Sequence, residues 1–238
     1  MNASHLHGVV ADRDVLIEAK DLMLSFGETP ALRGASLSVR RGEMVAVMGP
    51  SGSGKSTLLH CLAGILVPDS GEVRFGGQRI DTMPEQRRSA LRRARFGFVF
   101  QFGQLVPELS AAENVALPLL LGGMRREQAM QKARAWFGRL GLEGMEHHRS
   151  GEMSGGQAQR VALARGMVGH PEVLFADEPT GSLDSLNGEH VMELLTSSAR
   201  DQGTTVILVT HEPLVAAYAE REVIVRDGKV TSAGRVPR

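Results

Sequence analysis

The stretch GPSGSGKST, residues 49–57, decides how the rest of the chain is to be interpreted. It fits the pattern G-x-x-x-x-G-K-[ST], in which glycines let the backbone wrap closely around an anion and turn its N–H groups inward. A helix that starts at the end of such a loop adds its positive terminus at the same point. The predicted phosphate-binding loop consists of Gly49, Pro50, Ser51, Gly52, Ser53, Gly54, Lys55, Ser56 and Thr57.

Two side chains of this loop have predicted roles. Lys55 is expected to reach the β- and γ-phosphates of a nucleotide, and the Ser56 hydroxyl is expected to ligate Mg²⁺. An apolar strand is predicted just before the loop, at 44–48, and an apolar helix just after it, at 57–63. The alternative is a glycine-rich turn with an incidental lysine. The joint occurrence of strand, loop and helix argues against that alternative.

Composition places the chain among ordinary globular proteins. It has 238 residues, of which 42% are hydrophobic and 23% charged, and its formal net charge is zero. No charge imbalance suggests attraction to nucleic acid, so a nucleic-acid partner is not predicted. The single cysteine, Cys61, excludes an internal disulfide framework and suits a reducing compartment. No apolar stretch approaches the roughly 20 residues that span a bilayer, so any membrane part is expected to come from another chain.

Alternating strand and helix patterns predict an α/β fold with a mainly parallel sheet core. An antiparallel β subdomain is expected early in the chain, and an inserted α-helical subdomain at about 102–165. The predicted organisation is a flexible leader at 1–14, a single domain at 15–230 and a tail at 231–238. Predicted strands cover 15–26 (an edge-type strand), 32–39, 44–48, 96–100, 173–177 and 204–210, with hairpins at 72–77 and 222–230. Predicted helices cover 85–95, 111–121, 125–140, 154–167 and 187–200.

A second candidate site follows an apolar strand at 173–177. Asp177 ends this strand, where a carboxylate is costly unless a cation balances it. A Mg²⁺ ion held by Ser56 and the nucleotide would be that cation. The Glu178 side chain is expected to point in a different direction from that of Asp177 and to activate a water for in-line attack on the γ-phosphate. The alternative is an acidic pair at a surface strand end.

The stretch Ser154-Gly155-Gly156-Gln157 supplies the most specific pattern. Ser154 and Gln157 alone would form a capping box, which starts a helix in any protein. Two glycines in a first helical turn are unfavourable, however, and make sense where a phosphate must approach the backbone. This stretch resembles the signature of the ATP-binding-cassette (ABC) ATPases, L-S-G-G-Q. Met153 replaces the usual leucine, which is a volume-conserving change.

Four more positions match this family in order and spacing. The resemblance implies that Gln101 contacts Mg²⁺ or the attacking water, that Asp184 faces a partner subunit, that His211 binds the γ-phosphate, and that Phe26 stacks on adenine in place of the usual tyrosine. Each has an ordinary alternative: a polar strand end, a turn former, a helix cap and a core residue respectively. The resemblance extends from about Val15 to Val230.

The resemblance also implies a mechanism. Two copies are expected to sandwich two ATP molecules, each site combining the loop, Gln101, Asp177, Glu178 and His211 of one chain with Ser154, Gly156 and Asp184 of the other. Gly155 and Gln157 are the remaining signature residues expected to bind nucleotide. ATP would be hydrolysed to ADP and phosphate with Mg²⁺ as cofactor. An integral membrane permease is the expected further partner, contacted around 101–107 and the helical insertion, which implies a peripheral location on the cytoplasmic face of the cell membrane.

Sequence details narrow the resemblance to one branch. Phe100-Gln101-Phe102, Ala112-Glu113-Asn114-Val115 and the run 176–184 resemble the branch of lipoprotein-release, macrolide-export, peptide-resistance and cell-division ATPases. Export or release of a lipophilic or peptide-like substrate is therefore expected. The alternatives are a mechanotransmission or signalling ATPase without cargo, a soluble ABC protein acting on ribosomes or DNA, and a regulatory module without turnover.

Overall fold

A computed structural model describes residues 14–235 of the chain. The strands are β1 Val15–Phe26, β2 Thr29–Arg40, β3 Met44–Met48, β4 Ser70–Phe75, β5 Gln78–Arg79, β6 Phe96–Phe100, β7 Val173–Asp177, β8 Thr205–Val209, β9 Arg221–Arg226 and β10 Lys229–Arg235. The helices are α1 Lys55–Leu62, α2 Glu85–Arg95, α3 Ala111–Leu121, α4 Arg126–Leu140, α5 Gly155–Met167, α6 Ser185–Gln202 and α7 Pro213–Ala216, with a 3₁₀ turn at Ser150–Glu152. None of the helices within 14–235 is long and apolar enough to cross a bilayer.

The larger sheet carries the nucleotide-binding elements. Its order is β10-β9-β3-β8-β7-β6, and every neighbouring pair is parallel except the β9–β10 hairpin. β7 and β8 are almost fully buried, as expected of parallel strands covered on both faces. The carboxyl ends of β3, β7 and β8 meet at one edge, where a ligand-binding crevice is expected. The mainly parallel core predicted from the sequence is confirmed.

The smaller sheet is antiparallel, with the order β2-β1-β4-β5. The prediction of β1 as an edge strand is wrong, because β1 pairs with β2 on one side and β4 on the other. Its alternation of buried residues, such as Ile17 and Ala19, with more exposed ones reflects a sheet that covers the core with one face only. A central strand of such a sheet shows the same alternation as an edge strand, so the pattern cannot distinguish them.

Within residues 14–235, three hydrophobic clusters hold the elements together. One lies between the two sheets and includes α1; the second packs α5, α6 and α7 on the opposite face of the parallel sheet. The third joins α3, α4 and α5. Helix α5 contributes buried residues to both the second and the third cluster, so it connects the helical insertion to the sheet.

The attachment of α5 to the sheet depends on two glycines. A Cβ at Gly97 in β6 would lie 2.1 Å from the carbonyl oxygen of Gly166 in α5, and a Cβ at Gly166 would lie 3.0 Å from the Phe98 oxygen. Helix and strand backbones therefore touch directly. A glycine within a strand indicates such an approach.

Several predicted boundaries need correction. Strand β2 begins at Thr29 rather than at 32, and helix α1 begins at Lys55 rather than at 57. Helix α6 begins at Ser185 rather than at 187, because the Asp184 carboxylate accepts the Asn187 N–H and caps it. Strand β10 continues to Arg235 through its pairing with β9, so residues 231–235 are not a tail. The predicted leader, apart from Asp14, and the last three residues lie outside the described part of the chain.

Candidate active site

The phosphate-binding loop leads from β3 into α1, as predicted. Gly49 and Gly54 have φ angles of 149° and 102°, which favour glycine. A Cβ at Gly49 would meet the Val225 oxygen at 2.1 Å, and one at Gly54 would meet the Ala31 oxygen at 2.6 Å. These two glycines thus allow both the turn of the loop and its close fit against neighbouring strands.

The interior of the loop is prepared for an anion. Lys55 is 8% exposed, and its Nζ donates to the carbonyl oxygens of Gly49 and Pro50 at 2.9 and 3.0 Å. The Ser53 hydroxyl is buried without a hydrogen-bond partner among residues 14–235. An ammonium group, an unpaired hydroxyl and the amino-terminal end of α1 fit the phosphates of a nucleotide.

Ser56 and Asp177 form the candidate metal site. The Ser56 Oγ donates to the Asp177 Oδ1 at 3.2 Å, which joins the start of α1 to the end of β7. Burial raises the pKa of the Asp177 carboxyl, and the Ser56 hydrogen bond only partly offsets this. The ionised carboxylate therefore lacks a sufficient counter-charge. An alcohol and a carboxylate oxygen are the hard ligands that Mg²⁺ prefers, so the two residues fit that ion.

Glu178 and His211 are brought together beside this pair. His211 Nδ1 lies 2.9 Å from both Glu178 carboxylate oxygens, and this contact raises the pKa of the imidazole. Glu178 has a φ of 50°, and its N–H donates to the Val209 oxygen on β8. The Asp177 carboxylate contacts Ser56, whereas the Glu178 carboxylate contacts His211. Adjacent carboxylates can thus have separate roles.

Gln101 lies at the end of β6, against the loop that follows Glu178. Its Nε2 donates to the Gly181 oxygen at 3.5 Å, and its own carbonyl accepts the Ser182 hydroxyl at 2.9 Å. No hydrogen bond among the described residues joins it to Ser56 or Asp177. The structure therefore associates Gln101 with the loop before α6 rather than with the candidate metal site.

The signature residues and Asp184 form a second group. The Ser154 Oγ accepts the Gln157 N–H at 3.3 Å, and the Gln157 Oε1 accepts the Ser154 N–H at 2.8 Å, which confirms the capping box. A Cβ at Gly156 would lie 2.6 Å from the Asn187 Oδ1, whereas one at Gly155 would have only ordinary contact. The Asn187 amide donates to Asp184 at 2.7 Å. The start of α5 therefore rests on the cap of α6.

Phe26 ends β1 with its side chain free for a stacking contact, since the residue is 55% exposed. An aromatic ring this exposed is unusual in a strand whose other apolar residues are largely buried. The alternative that Phe26 is a core residue is wrong.

Three polar residues with structural roles at the site were not singled out from the sequence. Gln159 is 2% exposed and its Nε2 donates to the Phe100 and Pro179 oxygens. Arg165 donates to the Gly103 and Gln104 oxygens, and burial lowers the pKa of its guanidinium. Ser182 binds the Gln101 carbonyl. Of the three, only Gln159 could have been noticed in the sequence, because it is a polar residue on the apolar face of α5.

The sequence profile of the family described as "ABC transporter" matches residues 32–181. The chain is 45% identical over 218 residues to the lipoprotein-releasing system ATP-binding protein LolD of Bordetella avium, covering 90% of this chain and 95% of that protein. It is 46% identical over 210 residues to the macrolide export ATP-binding/permease protein MacB of Chromobacterium violaceum, covering 88% of this chain. It spans only 32% of the length of that MacB protein.

Two solved structures of ABC proteins are also similar in fold to this chain. The dimeric ATP-binding cassette MJ0796 in a post-hydrolysis state, bound to ADP and Pi, has a TM-score of 0.86 and 36% identity, and covers 94% of this chain and 100% of its own. The cbiO1 protein of Clostridium perfringens, part of the transporter complex cbiONQ, has a TM-score of 0.83 and 30% identity. The match covers 93% of this chain and 89% of cbiO1. The motifs, the fold and the profile match lead to one conclusion: the chain belongs to the ABC transporter family.

Proposed function

We propose that this chain is the ATP-hydrolysing subunit of a membrane transporter that exports or releases a lipophilic or peptide-like substrate. The observation that carries the proposal is the convergence of Lys55, Ser56, Asp177, Glu178 and His211 at one edge of the parallel sheet. These groups supply an anion cradle, two hard oxygen ligands and a candidate base. The reaction is ATP plus water to ADP plus phosphate.

Each residue has a defined part in this reaction. When bound, Mg²⁺ would neutralise charge on the phosphates. Lys55 binds the β- and γ-phosphates from inside the loop, and Ser56 and Asp177 are the proposed ligands of the ion. Glu178 orients the attacking water and accepts its proton. His211 contacts Glu178 through Nδ1, so its Nε2 can bind the γ-phosphate oxygens while that contact is kept.

Two copies of the chain form the complete site in this proposal. Ser154 and Asp184 are exposed and lie on one surface, joined through the buried Gly156, which packs on Asn187. No hydrogen bond among the described residues joins that surface to Lys55. The dimeric MJ0796 structures provide a precedent for pairing two such cassettes. An isologous dimer would place the signature surface of one chain over the nucleotide of the other, twice.

A membrane permease is the proposed second partner. A groove of about 440 Å³ opens between β6, α2 and the helical insertion; its lining includes Phe100, Leu117, Pro118, Leu121 and Arg165. Leu121 is 63% exposed there, so the groove offers apolar surface to a partner. Arg165 also supports the loop after Gln101, so a helix seated here would contact the same unit as the site. The chain would act at the cytoplasmic face of the cell membrane.

Export or release is favoured over other kinds of transport by the named relatives. LolD belongs to a lipoprotein-releasing system and MacB to macrolide export. The chain covers 95% of the length of LolD, which makes a separate ATP-binding subunit the closer precedent.

Glu178→Gln tests the assignment of the base. The variant should bind ATP with unchanged affinity but lose turnover by about 100-fold or more, and it should accumulate ATP-bound dimers. Glu127→Gln, which removes an exposed carboxylate of α4, is the matched control and should keep wild-type turnover. Full ATPase activity of Glu178→Gln would exclude Glu178 as the base.

Mixing two inactive variants tests the shared site. Ser154→Arg blocks the signature surface and Lys55→Ala weakens phosphate binding, so each homodimer should be inactive. A mixed dimer contains one site that combines both intact surfaces, and about half of the wild-type activity per such dimer is expected. If no activity returns although mixed dimers form, the two surfaces do not act across chains.

A further inference from the structure

We propose that Gln159, in the second turn of α5, is a positioning residue that fixes the two loops carrying Gln101 and Glu178. This rests on the proposed function, because it concerns how the same ATPase site is held. The Gln159 side chain is 2% exposed, and its Nε2 donates to the Phe100 oxygen at 2.9 Å and to the Pro179 oxygen at 2.7 Å.

The two acceptors are the reason for assigning this role. Phe100 directly precedes Gln101, and Pro179 directly follows Glu178. A side-chain amide carries two N–H donors in one plane, and here both are directed to backbone oxygens of different loops. A single NH₂ group therefore sets the separation between the end of β6 and the segment after β7.

Gln159 also connects these loops to the signature surface. It lies on the helix that Ser154 caps, so displacement of α5 is transmitted to both carbonyls at once. Arg165 on the same helix holds the Gly103 and Gln104 oxygens at 2.6 and 2.8 Å. Of these two side chains, only Gln159 reaches the segment that begins at Glu178.

The consequence for the reaction is specific. Glu178 has a left-handed backbone conformation, which persists only when its surroundings hold it. Loss of the Gln159 amide frees the Pro179 carbonyl and loosens that support. In the proposed site the phosphates are bound by the loop at 49–57, to which Gln159 makes no hydrogen bond among the described residues. Turnover should therefore fall while nucleotide affinity stays.

Gln159→Met in the full chain is the test, because methionine keeps the length and volume but donates no hydrogen bond. Hydrogen–deuterium exchange without nucleotide should quicken roughly five- to tenfold at 101–104 and 178–183, as the loss of about one hydrogen bond predicts. In ATPase assays, KM should stay within about twofold while kcat falls by roughly 10- to 100-fold.

Thr204→Val is the matched control. It removes a buried hydrogen bond from Thr204 Oγ1 to the Pro171 oxygen, 2.9 Å long and on other loops. It should lower overall stability yet leave kcat and exchange at 101–104 and 178–183 unchanged. If Gln159→Met does not fold, Gln159→Ala provides the same test, since alanine is small, favours the helix and has no side-chain donor.

The outcomes separate this inference from the proposed function. If wild-type protein hydrolyses ATP and Gln159→Met does so equally, with unchanged exchange at both segments, the positioning role is overturned. Faster exchange spread evenly over the whole chain would overturn it as well. If the wild type hydrolyses no ATP, the proposed function fails, while the exchange measurement still decides whether Gln159 fixes the loops.

Discussion

The paired variants Gly155→Ala and Gly156→Ala should have opposite effects on stability. A new Cβ at Gly155 meets Leu183 Cδ2 at 3.6 Å, an ordinary contact. Alanine is favoured over glycine in a helix by up to about 1 kcal/mol. Gly155→Ala should therefore raise the free energy of unfolding by roughly 0.5–1 kcal/mol, which corresponds to a melting temperature about 1–4 °C higher for a chain of this size.

At Gly156 the change to alanine lowers the free energy of unfolding through crowding by more than it raises it through helix propensity. The new Cβ would lie 2.6, 2.8 and 3.1 Å from Oδ1, Cγ and Cβ of Asn187. Rotating the amide relieves only the first two contacts and breaks its hydrogen bond to Asp184. Overpacking costs about 1–3 kcal/mol and the lost bond about 1, against a helix gain of at most about 1. A net loss of roughly 1–3 kcal/mol is expected.

Urea unfolding of the nucleotide-free chain measures both values. The midpoint should rise for Gly155→Ala and fall for Gly156→Ala, with the same slope m. In the double variant Gly156→Ala/Asn187→Ala, part of the loss should return as a favourable coupling of about 1 kcal/mol, because the clashing amide is gone. A Gly156→Ala midpoint at or above that of wild type would refute the reasoning.

Three further outcomes are expected. Asp177→Asn should raise the melting temperature of the nucleotide-free chain at pH 8 but not at pH 3, while abolishing ATP hydrolysis with Mg²⁺. By NMR titration, the pKa of His211 should lie above the ordinary 6.5 and should return toward it in Glu178→Gln, because the carboxylate that raises it is lost. Gly97→Ala should lower the free energy of unfolding by about 3 kcal/mol or more in urea titrations, whereas Gly151→Ala, with open space around it, should change it by less than about 0.5 kcal/mol.

The signs of the two pH effects follow from linkage. A raised carboxyl pKa means that the folded chain binds the Asp177 proton more tightly than the unfolded chain, so ionisation costs stability as pH rises above the ordinary value. A raised imidazole pKa means that the His211–Glu178 contact adds stability below pH 6.5 and loses it as pH rises through the folded value. An Asp177→Asn protein less stable than wild type at pH 8, or an unchanged His211 pKa in Glu178→Gln, would contradict these assignments.

Local pattern was sufficient for most elements. The apolar runs Phe96–Phe100 and Val173–Asp177 form the strands expected of them, and Ser154 caps α5 as the capping box predicts. The main errors concern which strands pair and over what length, which the periodicity of a single strand does not define. The central place of β1 comes from its pairing with β4, and the length of β10 from its pairing with β9. Neither pairing can be recognised from the pattern of the strand's own residues.

In the candidate site, the feature formed by consecutive residues could be predicted, whereas contacts between residues far apart in sequence could not. The phosphate-binding loop could be predicted because its chemistry is contiguous in sequence. The contact of His211 with Glu178 could not, since it depends on how far β8 and β7 run before each turns. The amide of Gln159 bridges two loops that are 59 and 20 residues away in sequence, and no local pattern encodes such a bridge.

In the proposed site, the exposed ring of Phe26 would stack on the nucleotide base, which has a consequence for nucleotide choice. A phenyl face attracts any purine by stacking, but it offers no hydrogen-bond donor or acceptor with which to distinguish adenine from guanine. Strong rejection of a related molecule requires polar groups that its binding would leave unpaired. We therefore expect GTP to be hydrolysed at a rate close to that for ATP. In the cell, the choice between them would follow from the abundance of each nucleotide rather than from recognition of the base.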